Sequence, residues 1–326
     1  MARLAGVSQP TVSRALRDDQ SVSEATRSAV IAAAERLGYI PSQRGRSLAT
    51  RRTDQVGVVV SDLANPFYFE VLDAMNVALR DVDRRMLVLT PDGDDDVLLA
   101  RLLDGSLDGA ILATTRLDSA LPAELARRHL PAVLLNREVD HSPVDACAVD
   151  NHAGGRLAAE TLVGLGHTRL AALFGPPETS TGRDREAGFR EVLAEHGLKL
   201  PDARVRRGAF EFRFGREGAL ALLGERPTAL FCGNDVIAMG AFDALRSKGV
   251  DVPGEVSVIG FDDIAQTGWE VFRLTTVRQD LTRMVHAAVE MLVERIDGEA
   301  TGGPRRVVLQ PSMVLRATHG PPPLGH

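Results

Sequence analysis

Amides and carboxylates recur in this chain at one kind of place, just after short apolar runs. Asn65 follows QVGVVVSD, Asn136 ends AVLLN, Asn234 and Asp235 close TALFCGND, and Asp262 ends the run VSVIGFD. Thr179 to Arg185, TSTGRDR, follow RLAALFG in the same way. Each amide, carboxylate or guanidinium offers two hydrogen-bonding arms, which suits a ligand rich in hydroxyl groups, such as a sugar. An aromatic ring would cover the apolar face of such a ligand, and Phe67, Tyr68, Phe210 and Trp269 are the candidates. Taken singly, each Asn or Asp serves equally well as the cap of a following helix. Their convergence on one cleft is what argues for a site.

A second chemistry stands at the start of the chain, in ARLAGVSQPTVSRAL (2–16). Gly6 permits a tight turn between two short helices, and Ser8 is a good N-cap for the second. Pro10 is tolerated in that helix's first turn, where backbone N–H groups lack helical partners. The helix would bury Val12, Ala15 and Leu16 and leave Gln9, Thr11, Ser13 and Arg14 outward. Short polar groups beside one guanidinium can enter a major groove and meet base edges; the bland alternative is a solvated face. Downstream, SQRGRSLATRRT (42–53) sets Leu48 among Arg44, Arg46, Arg51 and Arg52. Such a basic segment is drawn to phosphates, and its apolar side chain could wedge into a minor groove.

Catalytic and metal signatures are missing. The chain has no P-loop lysine, no HExxH and no G-x-S-x-G elbow, and its eight His show no ligand spacing. GLGH (164–167) begins like a dinucleotide loop, but Arg169 occupies the third glycine's place, and His167 reads as structural. DGDDD (92–96) lacks the later glutamate of a calcium loop and reads as a solvated turn. No enzyme, cofactor or metal is expected.

The elements that must position these groups follow from periodicity. Ser23 can cap a third helix, with Val30, Ala33, Ala34 and Leu37 at helical spacing and Gly38 as its stop. From residue 56 strand, loop and helix alternate. QVGVVVSD, MLVLT (86–90), GAILAT (109–114) and AVLLN (132–136) form one set of strands. RLAALFG (169–175), TALFCGND (228–235) and VSVIGFDD (256–263) form another. Asn65 and Pro66 supply N-cap and N1 to a helix carrying Phe67, Val71, Leu72, Met75 and Leu79. Parallel sheets covered by helices, in two lobes divided near Val149–Asp150, are the expected architecture. Ligands of such sheets sit beyond the carboxyl ends of the strands.

Charge divides the chain as well. Residues 1–52 hold nine Arg against four carboxylates, a net +5, so the overall −6 leaves −11 on the remaining 274 residues. A basic head on an acidic body points to a polyanion-binding module joined to something else. Two distant cysteines exclude a disulfide framework, no run spans a bilayer, and residues 1–30 lack a signal peptide's apolar core. The expected compartment is the cytoplasm.

AGVSQPTVSRAL, then YIPSQRGRSLA, then VGVVVSDLANPFY resemble the lac/gal repressor family of bacterial transcription regulators, over residues 1 to about 318. The resemblance implies an all-α three-helix helix-turn-helix head (1–41), a hinge (42–53) and an α/β two-lobed, periplasmic-binding-protein-like body (54–326). Lobe 1 would take about 54–149 and 281–310, and lobe 2 about 150–280 and 311–320. It implies major-groove contacts by Gln9, Pro10, Thr11, Ser13 and Arg14, and a minor-groove wedge of Leu48 with Ala49. It places Phe67, Tyr68, Asn136, Arg185, Phe210, Asn234, Asp262 and Gln279 around a small-molecule effector, a sugar. A near-palindromic DNA operator and a homodimer joined through the first lobe, including the helix at 66–80, complete the expected partners. A transport-type sugar receptor of similar body is the alternative, but it has no use for residues 2–52.

Four departures from the family pattern stand out. Relatives carry several residues before the position of Met1, so a misplaced start or a trimmed N-terminus is expected. Gly45 stands where the hinge usually has alanine, which lowers helix propensity by roughly 0.5–1 kcal/mol. Asn136 replaces the more usual aspartate. The segment 91–105 is shorter than usual, so its helix should be clipped, and the tail GPPPLGH is expected to be flexible.

Overall fold

The computed structural model describes residues 1–16, 19–38, 52–91 and 95–323. The chain divides into two compact units, Met1–Thr53 and Asp54–His326.

In the first unit, α1 (Ala2–Ala5) ends at Gly6, whose φ of 66° is the left-handed conformation that glycine adopts without strain. Helix α2 (Gln9–Ala15) starts under the cap of Ser8, whose Oγ accepts from Thr11 N. Helix α3 (Glu24–Arg36) starts under Ser23 in the same way. Val12, Ala15, Val22 and Val30 form the small core that fixes α2 against α3, with Leu16 half-buried at its edge. Leu37, expected on the buried face, is instead 54% exposed. Its backbone (φ −93°, ψ 0°) has already left the helix, which carries the side chain off that face. Leu48, Ala49 and Gly45 lie outside the described residues.

The body contains β1 (Gln55–Val59), β2 (Arg85–Leu89), β3 (Gly109–Leu112), β4 (Ala132–Leu135) and β5 (Asp145–Val149) in its first half. Strands β6 (Leu170–Phe174), β7 (Val205–Arg207), β8 (Ala229–Cys232), β9 (Ser257–Asp262) and β10 (Thr275–Arg278) follow. The last two strands, β11 (Arg306–Leu309) and β12 (Ser312–Val314), divide between the lobes. One six-stranded sheet runs β11-β5-β4-β3-β1-β2, the other β12-β10-β9-β8-β6-β7. Every neighbouring pair is parallel except β10 with β12. The chain therefore passes between the sheets three times: after β5, after β10, and between β11 and β12.

Helices cover both faces of each sheet, as parallel strands require. They are α4 (Pro66–Asp81), α5 (Asp95–Leu102), α6 (Leu121–Arg127), α7 (Asn151–Gly164), α8 (Ser180–Glu195), α9 (Phe212–Leu222), α10 (Asp235–Ser247) and α11 (Leu281–Asp297). Val58, Met75, Leu79 and Leu292 are fully buried in the first lobe. Phe189 stacks on Phe231 at 4.8 Å in the second. Helices α7 and α8 approach so closely that a Cβ on Gly155 would lie 2.2 Å from the Arg185 carbonyl oxygen, and one on Gly188 2.0 Å from that of His152.

Strands β5, β7, β10, β11 and β12 escaped the periodicity reading. Strand β5 opens on a carboxylate, Asp145, which is buried because Arg295 and Arg305 each reach it at 2.8 Å. Strands β7 and β12 are only three residues long. The tail is not loose as far as it is described. His167 Nε2 lies 2.8 Å from the Gly320 carbonyl oxygen, Ser257 Oγ donates to the same oxygen, and Gly320 N donates back to Ser257 Oγ. His167 Nδ1 pairs with Thr228 Oγ1 at 3.0 Å, so this histidine is a structural clasp.

Candidate functional site

Strand ends from both sheets meet in one narrow, nearly closed cleft with a free volume of only about 10 Å³, lined by Asn65, Phe67, Tyr68, Asn136, Arg137, Thr181, Arg185, Phe210, Asn234 and Asp262. The lobes are drawn together at its rim. Arg116 pairs with Glu178 at 3.3 Å and Arg183 with Asp140 at 2.7 Å. The amide N of Glu138 donates to Ser180 Oγ, and that of Ala265 donates to the Glu70 carboxylate.

Arg185 is the best-anchored group in the cleft. Its Nε donates to Asn151 Oδ1 at 2.8 Å, its Nη1 to the Gly233 carbonyl at 2.7 Å, and its Nη2 lies 3.2 Å from Asp262 Oδ1. The guanidinium also rests 3.6 Å above the centre of the Phe261 ring. Asp262 sits at φ 120°, a conformation that turns it out of β9 into the cleft. Burial pushes its carboxyl up to about 6, against the opposing pull of Arg185 and of the hydrogen bond from Gln279. Asp235 is wholly buried behind it, accepting from Thr276 Oγ1 and from Ile264 N, and burial raises its pKa well above the usual carboxylate range.

The capping and site roles of the asparagines coincide. Asn65 Oδ1 accepts from Phe67 N at 3.1 Å and Asn234 Oδ1 from Ile237 N at 2.9 Å, while both side chains line the cleft. Asn136 differs: at φ 66° it caps nothing, its Nδ2 is 3.5 Å from the Tyr68 hydroxyl, and its Oδ1 is buried without a partner. Tyr68 is fully buried and its hydroxyl pKa is raised by that burial.

Two expected members stand apart. Gln279 donates from Nε2 to Asp262 Oδ1 at 2.7 Å but lines a wider neighbouring groove, reaching the cleft only through that carboxylate. Trp269 is 56% exposed and lines no part of the cleft. Thr181, within the expected run Thr179 to Arg185, belongs to the lining; so, unexpectedly, does Arg137, and Asn151 orients Arg185 from behind. The signal for Arg137 was its position, one residue past the strand end at Asn136. Asn151 follows β5, the strand that periodicity missed.

In the head, Gln9 and Arg14 are exposed, and Thr11 and Ser13 are half-buried. The Thr11 hydroxyl is 2.8 Å from Ser8 Oγ, so it shares in the cap. Among the described residues, no group of three or more His, Cys, Asp or Glu is placed to hold a metal ion, and no helix is long and apolar enough to cross a membrane.

A helix-turn-helix head joined to a two-lobed α/β body with a polar cleft defines a DNA-binding transcription regulator with a ligand-binding domain. Residues 1–42 match the family of bacterial regulatory proteins called the lacI family, and residues 159–319 match the periplasmic binding protein-like domain. The chain is 35% identical to the HTH-type transcriptional regulator CelR of Thermobifida fusca, over 97% of this chain and 96% of that one. It is 32% identical to the ribose operon repressor of Escherichia coli, over 98% of each. Among solved structures, the lac repressor dimer bound to operator and the anti-inducer ONPF superposes with a TM-score of 0.87 at 29% identity, covering 97% of both chains. The CelR–cellobiose complex superposes with a TM-score of 0.77 at 32% identity, covering 97% of this chain and 98% of that one. The chain belongs to the lacI family of bacterial regulatory proteins.

Proposed function

We propose that this regulator is a homodimeric, cytoplasmic repressor that binds a near-palindromic operator and is controlled by a sugar held between its lobes. The observation that carries the ligand reading is a pair of buried polar atoms without partners at the cleft, Asn136 Oδ1 and Arg137 Nε. Buried polar groups are nearly always hydrogen-bonded, and hydroxyl groups of a bound sugar would satisfy both the donor and the acceptor. Phe67, Tyr68 and Phe210 supply rings for its apolar faces. Asn136, Arg185, Asn234 and Asp262 are the polar contacts, and Gln279 holds Asp262. CelR, solved with cellobiose, supports the same class of ligand.

Gln9, Pro10, Thr11, Ser13 and Arg14 read the major groove, and Leu48 with Ala49 enters the minor groove. Binding rather than turnover is the body's role. The dimer forms through the first lobe, where Phe69 and Val77 on α4 and Leu87 and Val88 on edge strand β2 are exposed. Apolar groups beside an unpaired strand edge mark an association surface. The ligand acts by preferring one arrangement of the lobes, and a 100-fold change in DNA affinity needs about 2.7 kcal/mol of such coupling. Titration of neutral and charged sugars into the full-length protein, followed by operator binding, tests this; a set of sugars that neither binds nor alters DNA affinity refutes it.

A further inference from the structure

Asp54, the residue at which the body takes over from the hinge segment, stands at φ 55°, a left-handed conformation that residues other than glycine seldom adopt. The ladders of β1 with β2 and β3 begin only at Gln55 and Val56, so Asp54 sets the direction in which the chain leaves the sheet. Its N–H donates to Asp108 Oδ2 at 2.8 Å, its carbonyl accepts from Arg85 N at 2.8 Å, and its Oδ1 accepts from Arg84 Nη1 at 2.9 Å. Backbone strain of this kind persists where the surroundings over-determine it. Arg84 also reaches beyond this residue. Its Nη2 donates to Asp297 Oδ1 at 3.1 Å, at the end of α11, and its N–H donates to the Leu79 carbonyl in the last turn of α4. The Arg84 side chain is only 9% exposed, so it bridges the two carboxylates away from most of the solvent that would screen them.

We infer that Arg84 is a positioning residue for operator binding: by tying Asp54 to α4 and α11 it fixes where each hinge leaves the body, and so the half-site separation that the dimer accepts. This rests on the dimeric, DNA-reading function proposed above. That dimer joins through α4 and edge strand β2, whose first residue, Arg85, follows Arg84 directly. The line from the association surface to the hinge therefore runs through α4, Arg84 and Asp54, once in each copy. Two heads joined to one dimeric body bind as a linked pair, and their gain in affinity is greatest when the joint holds them at the separation of the half-sites. Without the Arg84 bridge, Asp54 keeps its backbone bonds to Asp108 and Arg85 but loses the side-chain contact that holds its left-handed form. The two exits then spread over a wider range of separations.

Gel-shift titrations of the full-length protein test the inference, on an operator that the protein itself selects from a random-sequence duplex pool. The spacer between the half-sites is shortened and lengthened by single base pairs, and a duplex with one half-site serves as reference. The parent protein binds its best spacing at least about tenfold more tightly than the neighbouring ones. Arg84→Met reduces that ratio to about threefold or less and leaves binding to the single half-site within about twofold of the parent. Arg84→Lys, which reaches one carboxylate but lacks the fork, retains part of the preference. A merely structural role for Arg84 would weaken every duplex alike. Thermal unfolding checks that the variants remain folded. If Arg84→Met does not fold, Asp54→Gly decides: glycine accepts φ 55° without strain yet frees the exit, so it too flattens the preference. A preference unchanged in the variants, a loss equal on operator and half-site, or a parent protein indifferent to spacing overturns the inference and leaves the DNA-reading function standing. If the parent protein selects no duplex at all, both fall together.

Discussion

Arg185 and Asp262 meet at 3.2 Å with their side chains only 3% and 6% exposed, so the ion pair at the centre of the cleft is nearly dry. Removing one partner of such a pair strands the other as a buried charge, which typically destabilises by about 3–5 kcal/mol. Arg185→Met should therefore lower the body's unfolding free energy by roughly that amount and abolish the effector response. Operator binding without effector should persist. A dose–response curve unchanged from the parent protein refutes the role of Arg185.

Asp262 should titrate near pH 6, and its carboxyl ¹³C resonance reports this directly. The sign is fixed by burial: the folded-state pKa lies above the ordinary 3.8, so the fold binds this proton more tightly than the unfolded chain does. The associated stabilisation is complete below about pH 4 and is lost as pH rises through about 6. Arg185 opposes the shift, so Arg185→Met should move the midpoint upward. A midpoint at or below 4 in the parent protein contradicts the description of the cleft as desolvated.

Gly188→Ala places a methyl group where the His152 carbonyl oxygen already stands, 2.0 Å from the new Cβ. Overpacking of this kind costs typically 1–3 kcal/mol. Because α8 also carries Arg185, effector affinity should fall together with stability. A fall in stability at constant affinity would show that Arg185 tolerates a displaced helix.

Leu48→Ala should weaken binding to the specific operator by about tenfold or more, equivalent to ~1.4 kcal/mol, and leave non-specific binding almost unchanged. Gel-shift titrations on operator and scrambled duplexes at one salt concentration separate the two. Equal losses on both would assign Leu48 to general affinity.

His167→Ala removes one hydrogen bond to the C-terminal segment, at Gly320, and the contact with Thr228 that braces the ring. Hydrogen exchange should accelerate at Val258 and Gly320, whose amides donate to Thr318 O and Ser257 Oγ. The body should lose about 1–3 kcal/mol, since the side-chain hydroxyl and the carbonyl oxygen are left with fewer partners. Unchanged exchange there would mean that Ser257 holds the tail without the histidine.

Seven of the strands and the lobe alternation could be read from apolar runs followed by Asn, Asp or Gly, because buried parallel strands are uniformly apolar. Strand β5 could not, since its buried carboxylate becomes tolerable only through Arg295 and Arg305, far away in sequence. The cleft was legible through strand ends, which is why Asn65, Asn136, Asn234 and Asp262 were found. Trp269 is not decided by the sequence, because aromatic character says nothing about which side of a loop faces the ligand. Arg137 is hidden in the sequence because a charged residue after a strand ordinarily points to water. Only the facing rings of Tyr68 and Phe210 reveal that it does not.

The three passages between the sheets also set an order on biosynthesis. The first lobe borrows α11 and β11, and the second borrows β12, so the first sheet cannot be completed before the ribosome has delivered Leu309, nor the second before Val314. Nascent halves must wait with apolar strand edges uncovered, a period in which chains of high contact order are prone to aggregate. The basic head, Met1–Thr53, is one continuous stretch of chain and is made before the body. A ribosome stalled late in the body would thus display a finished DNA reader before it displays anything that can be regulated.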